Sequence, residues 1–310
     1  MKSSIKSSLL LLLTAVIWGF AFVAQDFGAD HLDPFTFGGI RFVMGAVSLI
    51  PVILILEREA DDKERMKTTV LSGILAGVIL FAAATFQQYG IAITHDAGKG
   101  GFITGLYIVL VPIIGIFLGR KTTLLTWISA VVAIAGLFFL CLGGNKAIGI
   151  GDILFLIGAV FWSLHILTID HFSHRMYPLR FAQTQFLTCG VISLVCMVLF
   201  EQPTMSEVKE AVIPLLYTGL LSVGVAYTLQ IIGQRDADPT FAAIIMSTES
   251  VFSALGVMIV KHQFMTVREY FGCALIFAAI IMSQLDPRVL IGKLKSARKK
   301  AASSPDEQEK

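Results

Sequence analysis

Long apolar stretches separated by short polar connections run along almost the whole chain. A membrane helix needs roughly 20 mostly apolar residues. Ten stretches approach or exceed this length: residues 8–25, 34–56, 69–91, 98–119, 123–143, 150–170, 178–200, 211–233, 239–261 and 265–285. None alternates between apolar and polar positions as a membrane β-strand does. Because backbone polar groups in lipid must pair within their own segment, the pattern predicts an all-α integral membrane protein with ten transmembrane helices.

The second half of the chain repeats the first. Residues 8–143 and 150–285 each hold five apolar stretches, and equivalent residues lie 144 positions apart early in the repeat and 142 apart later. An odd number of crossings per copy turns the second copy upside down, and such inverted repeats build many secondary transporters around a midplane site. We therefore predict two inverted five-helix repeats around a central cavity. The matches are Trp18 with Trp162, Asp26 with Asp170, Pro34 with Pro178, Phe42 with Phe186, Glu57 with Glu201, Gln88 with Gln230 and Asp96 with Asp238.

Composition and charge predict how the chain is oriented in the membrane. Charged residues make up 15% of the 310 residues, whereas soluble domains carry about 25%, so no soluble domain is predicted. If both termini lie on one side of the membrane, that side holds seventeen Lys and Arg residues and the other side five. Positive residues are enriched in cytoplasmic loops, which predicts a multi-pass protein of the cytoplasmic (cell) membrane with both termini in the cytoplasm. Residues 286–310 are expected to form a disordered basic tail whose first half touches anionic lipid.

Motifs of soluble enzymes are missing from the sequence. It has no Walker loop, no His-Glu-x-x-His and no Cys-x-x-Cys pattern, so no ATP site, metal or cofactor is predicted. The four cysteines lie inside apolar stretches, where they are expected to be small packing residues. The predicted partners are a small-molecule metabolite and the lipid bilayer, and no nucleic acid. The sequence leaves open whether the protein forms a homodimer.

Two charged residues lie deep inside apolar stretches, away from the ends, where a charge is costly and usually faces the bundle interior or water. Arg41 lies in the second stretch and Glu249 near the middle of the ninth. In the functional interpretation both line the cavity, with Glu249 exchanging protons and Arg41 holding a substrate carboxylate or phosphate. In the structural alternative they form a fixed pair, either with each other or between Arg41 and Asp26 or Asp30.

Eight further residues within the apolar stretches are candidates for contact with a solute. The two matched tryptophans are too deep for an interfacial belt, so they either form the walls of a pocket for flat or aliphatic groups or pack in the core. A histidine at mid-span is either a solute or proton site or a hydrogen-bonded packing residue. Glutamine amides and tyrosines either line the cavity or bond between helices. The eight are Trp18, Gln88, Tyr107, Trp162, His165, Gln185, Tyr227 and Gln230.

A tryptophan motif and a glutamate motif carry a family resemblance. The sequence Ala-Val-Ile-Trp-Gly at 15–19 recurs in part at 159–162, and residues 242–255 surround Glu249. With Pro34 and Arg41-Phe42, these segments resemble the drug/metabolite transporter superfamily in its ten-span form with two EamA-type domains. Here Ser250 replaces the proline that follows the glutamate in the family. In the first copy, Tyr107 holds the position equivalent to Glu249.

This resemblance implies that helices 1–4 and 6–9 surround a central cavity, with helices 5 and 10 at the periphery. Members of the superfamily move small organic solutes, many of them outward. We therefore predict a secondary active transporter that works by alternating access, exports a small organic metabolite and is coupled to protons through Glu249. An amino-acid-like zwitterion is the suggested cargo. The alternatives are a membrane-embedded lipid-modifying enzyme and a channel or sensor.

Overall fold

The chain folds into a bundle of helices. The computed structural model describes residues 5–58, 61–120, 122–141, 149–262 and 264–284, and within these ranges it contains helices and turns and no strand. The helices are α1 (Ile5–Ala29), α2 (Pro34–Leu56), α3 (Lys63–Thr94), α4 (Ala97–Gly105 and Tyr107–Phe117), α5 (Leu124–Cys141), α6 (Ile150–Phe172), α7 (Pro178–Phe200), α8 (Val212–Gln234), α9 (Pro239–Met246 and Glu249–Lys261) and α10 (Val267–Gln284). A short helix, Met205–Glu210, precedes α8.

The described helices confirm an all-helical, multi-pass membrane protein. Seven of them, namely α1, α2, α3, α6, α7, α8 and α9, are long and apolar enough to cross a membrane. Shorter apolar helices occur in α4 (Ile103–Phe117) and α5 (Leu124–Phe139). Because α4, α5 and α10 are not among the seven, the number of ten crossings stays a prediction. The expected tail at 286–310 lies outside the described residues.

The second helix of each repeat begins with a proline. Pro34 opens α2 and Pro178 opens α7. Proline suits the first helical position because its φ is already helical and it has no N–H that would lack a partner there. The N–H groups that follow the proline still need acceptors, since the first turn of a helix has none of its own.

These N–H groups are capped by a glutamate from the other repeat. The N–H groups of Phe35 and Thr36 donate to Glu201, at the end of α7, at 2.8 and 2.6 Å. The equivalent residues at the start of α7 donate to Glu57, at the end of α2, at 2.9 and 3.0 Å. A carboxylate is also favoured there by the helix dipole. The helices α2 and α7 therefore run antiparallel, each ending against the start of the other, as inverted repeats require.

Small residues allow the central helices to approach closely. Gly73 and Gly77 of α3 face Thr184 and Thr188 of α7, and a Cβ built on Gly77 would lie 2.7 Å from the backbone oxygen of Gln185. Lipid is as apolar as the helix surfaces, so no hydrophobic driving force brings membrane helices together. Their association depends on close packing of this kind.

The two fifth helices lie together at the edge of the bundle. Helices α5 and α10 pack mainly on each other, and a Cβ on Gly136 of α5 would lie 2.8 Å from the carbonyl oxygen of Gly272 in α10. This arrangement agrees with the peripheral position that the family resemblance implied for helices 5 and 10, and it leaves the other helices to enclose the centre.

Helices α4 and α9 are interrupted at equivalent positions. Pro112 removes a helical hydrogen bond, so a kink is expected near it in α4, but the break falls at Leu106, ahead of the proline. In α9 the break falls at Ser247 and Thr248, although Ser250 replaces the family's proline. The hydroxyls of Ser247 and Thr248 donate to carbonyl oxygens three residues earlier at 2.8 and 2.7 Å. Such side-chain bonds compete with the helical ones, which explains an interruption without proline.

Candidate functional site

A central cavity lies between both repeats. Its room for a water-sized sphere is about 30 Å³, so the cavity is narrow in this structure, and it is lined from α1, α2, α3, α4, α6, α8 and α9. Seven of the ten predicted site residues line it, and their role in a site stays a prediction. The lining residues are Trp18, Ala21, Phe22, Gln25, Arg41, Gln87, Thr104, Tyr107, Trp162, Ile166, Ser222, Tyr227, Gln230, Met246 and Glu249.

Tyr107 and Glu249 join the two repeats across this cavity. They occupy equivalent positions, 142 residues apart, and the tyrosine hydroxyl donates to the glutamate Oε1 at 2.9 Å. Each residue opens the second half of an interrupted helix. Glu249 therefore lies in the first turn of the helix Glu249–Lys261, where the helix dipole favours negative charge.

Three aromatic rings form one wall of the cavity. Trp18 lies 4.7 Å from Tyr227 and 6.3 Å from Trp162 between ring centroids, and Trp162 stacks on Tyr227 at 6.0 Å. The indole N–H of Trp18 donates to the carbonyl oxygen of Ser222 at 3.4 Å, and that of Trp162 donates to Gln87 at 2.8 Å. Because both N–H groups are bonded, the rings present apolar faces to a solute.

Arg41 is buried in the cavity wall without a carboxylate partner. Its Nη1 donates to Gln25 Oε1 at 2.8 Å, and its guanidinium carbon lies 5.3 and 5.0 Å from the ring centroids of Phe37 and Phe42. Its Nε, also buried, has no hydrogen-bond partner. Within the described ranges no ion pair joins Arg41 to Glu249, Asp26 or Asp30. The fixed pair considered from the sequence is therefore wrong.

The acidic residues near the helix ends have other partners. Asp26 and Asp30 lie 3.5 and 3.6 Å from Nδ1 of His95, which connects α3 to α4. Asp170, at the end of α6, forms an ion pair with Arg120, at the end of α4. The matched aspartates Asp26 and Asp170 thus link helix ends on opposite sides of the bundle.

Three predicted site residues do not line the cavity. His165 and Gln185 are fully buried and share a hydrogen bond of 2.9 Å between α6 and α7. Gln88 donates to the backbone oxygen of Gln25 at 3.2 Å. The cavity interpretation is therefore wrong for these three, because the helix faces that carry them pack against neighbouring helices. Their bonds are those of the packing alternative.

Four polar residues of the cavity escaped the sequence prediction. They are Gln25, Gln87, Thr104 and Ser222. Gln25 lies seven residues after Trp18 and hence on the same helix face, a spacing that would have identified it. Gln87 is adjacent to the predicted Gln88, and only the packing of α3 decides which of the two amides faces inward.

Comparisons with known proteins agree with the fold and the repeat. The model of the EamA-like transporter family matches residues 5–142 and again 149–285. An uncharacterized transporter of Archaeoglobus fulgidus is 32% identical over 89% of this chain and 84% of its own length. The uncharacterized transporter YoaV of Bacillus subtilis is 24% identical over 90% of this chain and 97% of its own. A protein of known crystal structure, 20% identical, shares the fold with a TM-score of 0.74 over 92% of this chain and 98% of its own. These matches point to transport rather than enzymatic activity, and with two family matches that together span most of its length, the chain belongs to the EamA-like transporter family.

Proposed function

We propose that this protein is a proton-coupled secondary transporter that exports an amino-acid-like zwitterion across the cytoplasmic membrane. The observation that carries the proposal is that Arg41 and Glu249 line one cavity and do not form an ion pair with each other. Opposite charges in a protein interior usually pair with each other. Two that stay apart at one cavity are suited to a solute with both charges.

Arg41 provides the site for the anionic end of the cargo. A buried charge without a counter-ion is costly, and here only an amide oxygen and two aromatic rings compensate it. A carboxylate that accepts two N–H groups of the guanidinium would form a strong, directional contact. The buried Nε, which has no hydrogen-bond partner among the described residues, is a further donor for such an anion, a feature that it shares with Nε of Arg65 and Arg180.

Glu249 provides the site for the cationic end and for the proton. It is the only carboxylate among the cavity-lining residues of the described chain. When it is ionised it attracts an ammonium group, and when it is protonated that attraction is lost. The cargo and the proton therefore compete for Glu249. Such competition is the simplest physical basis for exchanging cargo for protons across the membrane. Trp18, Trp162 and Tyr227 would contact the apolar part of the cargo.

Alternating access is supported by the inverted repeat and by contacts that close one end. The ion pair between Arg120 and Asp170 joins α4 to α6 at the end that the charge pattern assigns to the cytoplasm. Rocking of one repeat against the other would open one end of the cavity as it closes the other. Outward transport rests on the family resemblance.

Counterflow in proteoliposomes tests this function. We expect saturable exchange of labelled neutral amino acids, accelerated by a proton gradient. Glu249→Gln should weaken exchange and lose its dependence on the gradient, whereas the control Glu64→Gln, at an exposed glutamate outside the cavity, should keep both. Unsaturable flux would indicate a channel instead. Full gradient dependence in Glu249→Gln would remove this residue from proton coupling.

A further inference from the structure

A second space lies on the opposite face of α1 from the central cavity. It is an open groove of about 900 Å³, counting its mouth. One wall is formed by Phe20, Val23, Ala24 and Phe27, whose spacing puts them on a single helix face. The other wall comes from the start of α8 and the end of α9, with Ile213, Pro214, Tyr217 and Val260.

The groove exists because α1 and α9 touch at a crossing point and separate beyond it. At the crossing, a Cβ on Gly19 would lie 2.7 Å from the backbone oxygen of Glu249, and one on Gly256 would lie 3.1 Å from Val23. At the deep end of the groove, the hydroxyl of Tyr217 donates to the backbone oxygen of Ile17 at 3.0 Å. These contacts close the bottom and leave the opening toward the end of α1.

Two titratable side chains stand at the mouth of the groove. Nδ1 of His31 lies 3.3 Å from Oε2 of Glu210, and the two side chains are 37% and 56% exposed. The neighbouring segments at this end of the bundle carry Asp30, Asp33 and Glu207 as well, with Lys209 and Lys261 as the basic neighbours, so acidic residues are in excess there. An apolar channel therefore leads to an acidic rim, at the end opposite the one that holds the Arg120 ion pair.

We propose that this groove binds one phospholipid with an ethanolamine headgroup. Its acyl chain would lie between α1 and α8, and its ammonium group would bond Glu210. The walls face the hydrocarbon core of the membrane that the protein spans. An acyl chain is therefore the occupant that is present at this surface. The acidic rim attracts a headgroup that carries an ammonium with N–H donors and repels anionic headgroups. The site is separate from the proposed transport site and does not depend on its cargo.

Native mass spectrometry of the full-length protein in detergent tests the headgroup. Phosphatidylethanolamine, phosphatidylcholine and phosphatidylglycerol with identical acyl chains are added in turn. We expect one tightly retained phosphatidylethanolamine and about tenfold weaker retention of the other two, a difference near 1.4 kcal/mol. Glu210→Gln should remove this preference. Glu64→Gln, an exposed acidic control at the opposite end of the bundle, should keep it.

Blocking the groove tests the acyl-chain site. Ala24→Trp fills one wall and Val260→Trp the other, and each should abolish retention of the bound lipid whatever its headgroup. Val195→Trp, on a lipid-facing position of α7 that is 53% exposed, should retain it. Equal retention of all three lipids, or retention by both blocked variants, would overturn the assignment. If the two blocked variants lost counterflow while lipid retention stayed unchanged, the assignment would also be overturned, because the groove would then bind the cargo.

Discussion

Arg41 is a buried charge whose hydrogen bonding is only partly completed. The residue is 4% exposed, and its guanidinium makes one hydrogen bond among the described residues, to Gln25. Buried charges that lack a partner destabilise a protein, and an apolar replacement of similar size is often neutral or stabilising. The proposed anionic ligand would complete its bonding.

The stability of Arg41→Met separates this explanation from a structural role. We expect unchanged or higher stability, by up to roughly 2 kcal/mol, together with loss of counterflow, measured by thermal unfolding and in proteoliposomes. Arg65→Met is the matched control: its guanidinium donates to the backbone oxygen of Met176 at 2.9 Å and lies over Tyr177. That change should cost about 1 kcal/mol. A less stable Arg41→Met would contradict the ligand role.

At the scale of the helices, the two glutamate caps hold α2 and α7 together at both ends. Each carboxylate accepts two N–H groups from a helix of the other repeat. We expect Glu57→Gln and Glu201→Gln each to lower the free energy of unfolding by about 1 kcal/mol. Because the caps lie at opposite ends of the helices, their effects should add in the double variant. Denaturant titration in mixed micelles measures this, and a neutral result at either position would refute the capping role.

A left-handed residue ends α4 next to the ion pair. Gly119 has a φ of +76° and would meet no atom within 4 Å if it gained a Cβ, so only its backbone conformation opposes a side chain. We expect Gly119→Ala to lower stability by roughly 1 kcal/mol. Gly98, inside the helix Ala97–Gly105 and with no atom closer than 3.6 Å to an added Cβ, is the control, and Gly98→Ala should not lower stability in the same unfolding assay. Equal effects of the two changes would exclude backbone strain as the cause.

At the scale of the whole molecule, the contact between Arg120 and Asp170 should open during each transport cycle. In a variant without native cysteines, Arg120→Cys and Asp170→Cys joined by a short thiol cross-linker should lose counterflow. Cleavage of the linker should restore it, and each single cysteine variant treated alike should stay active. Continued transport by the cross-linked protein would mean that this end of the bundle does not need to open.

Much of the architecture was predictable because it depends on local patterns. Apolar length predicts helices, since lipid leaves the backbone no other partner. The match of Glu57 with Glu201 indicated the duplication, and the structure places both at equivalent caps. The position of the break in α9 was not predictable from proline, because the hydroxyls of Ser247 and Thr248 cause it.

The sequence alone determined that this protein is a duplicated membrane bundle with polar residues inside, because apolar length and repeat spacing are properties of the chain itself. Only the tertiary structure decided which polar residues meet. It paired Tyr107 with Glu249, left Arg41 without a carboxylate and turned His165 away from the cavity. The reason is physical: helix faces become inner or outer through the crossing of neighbouring helices, and a small change in rotation exchanges a residue such as Gln88 for Gln87.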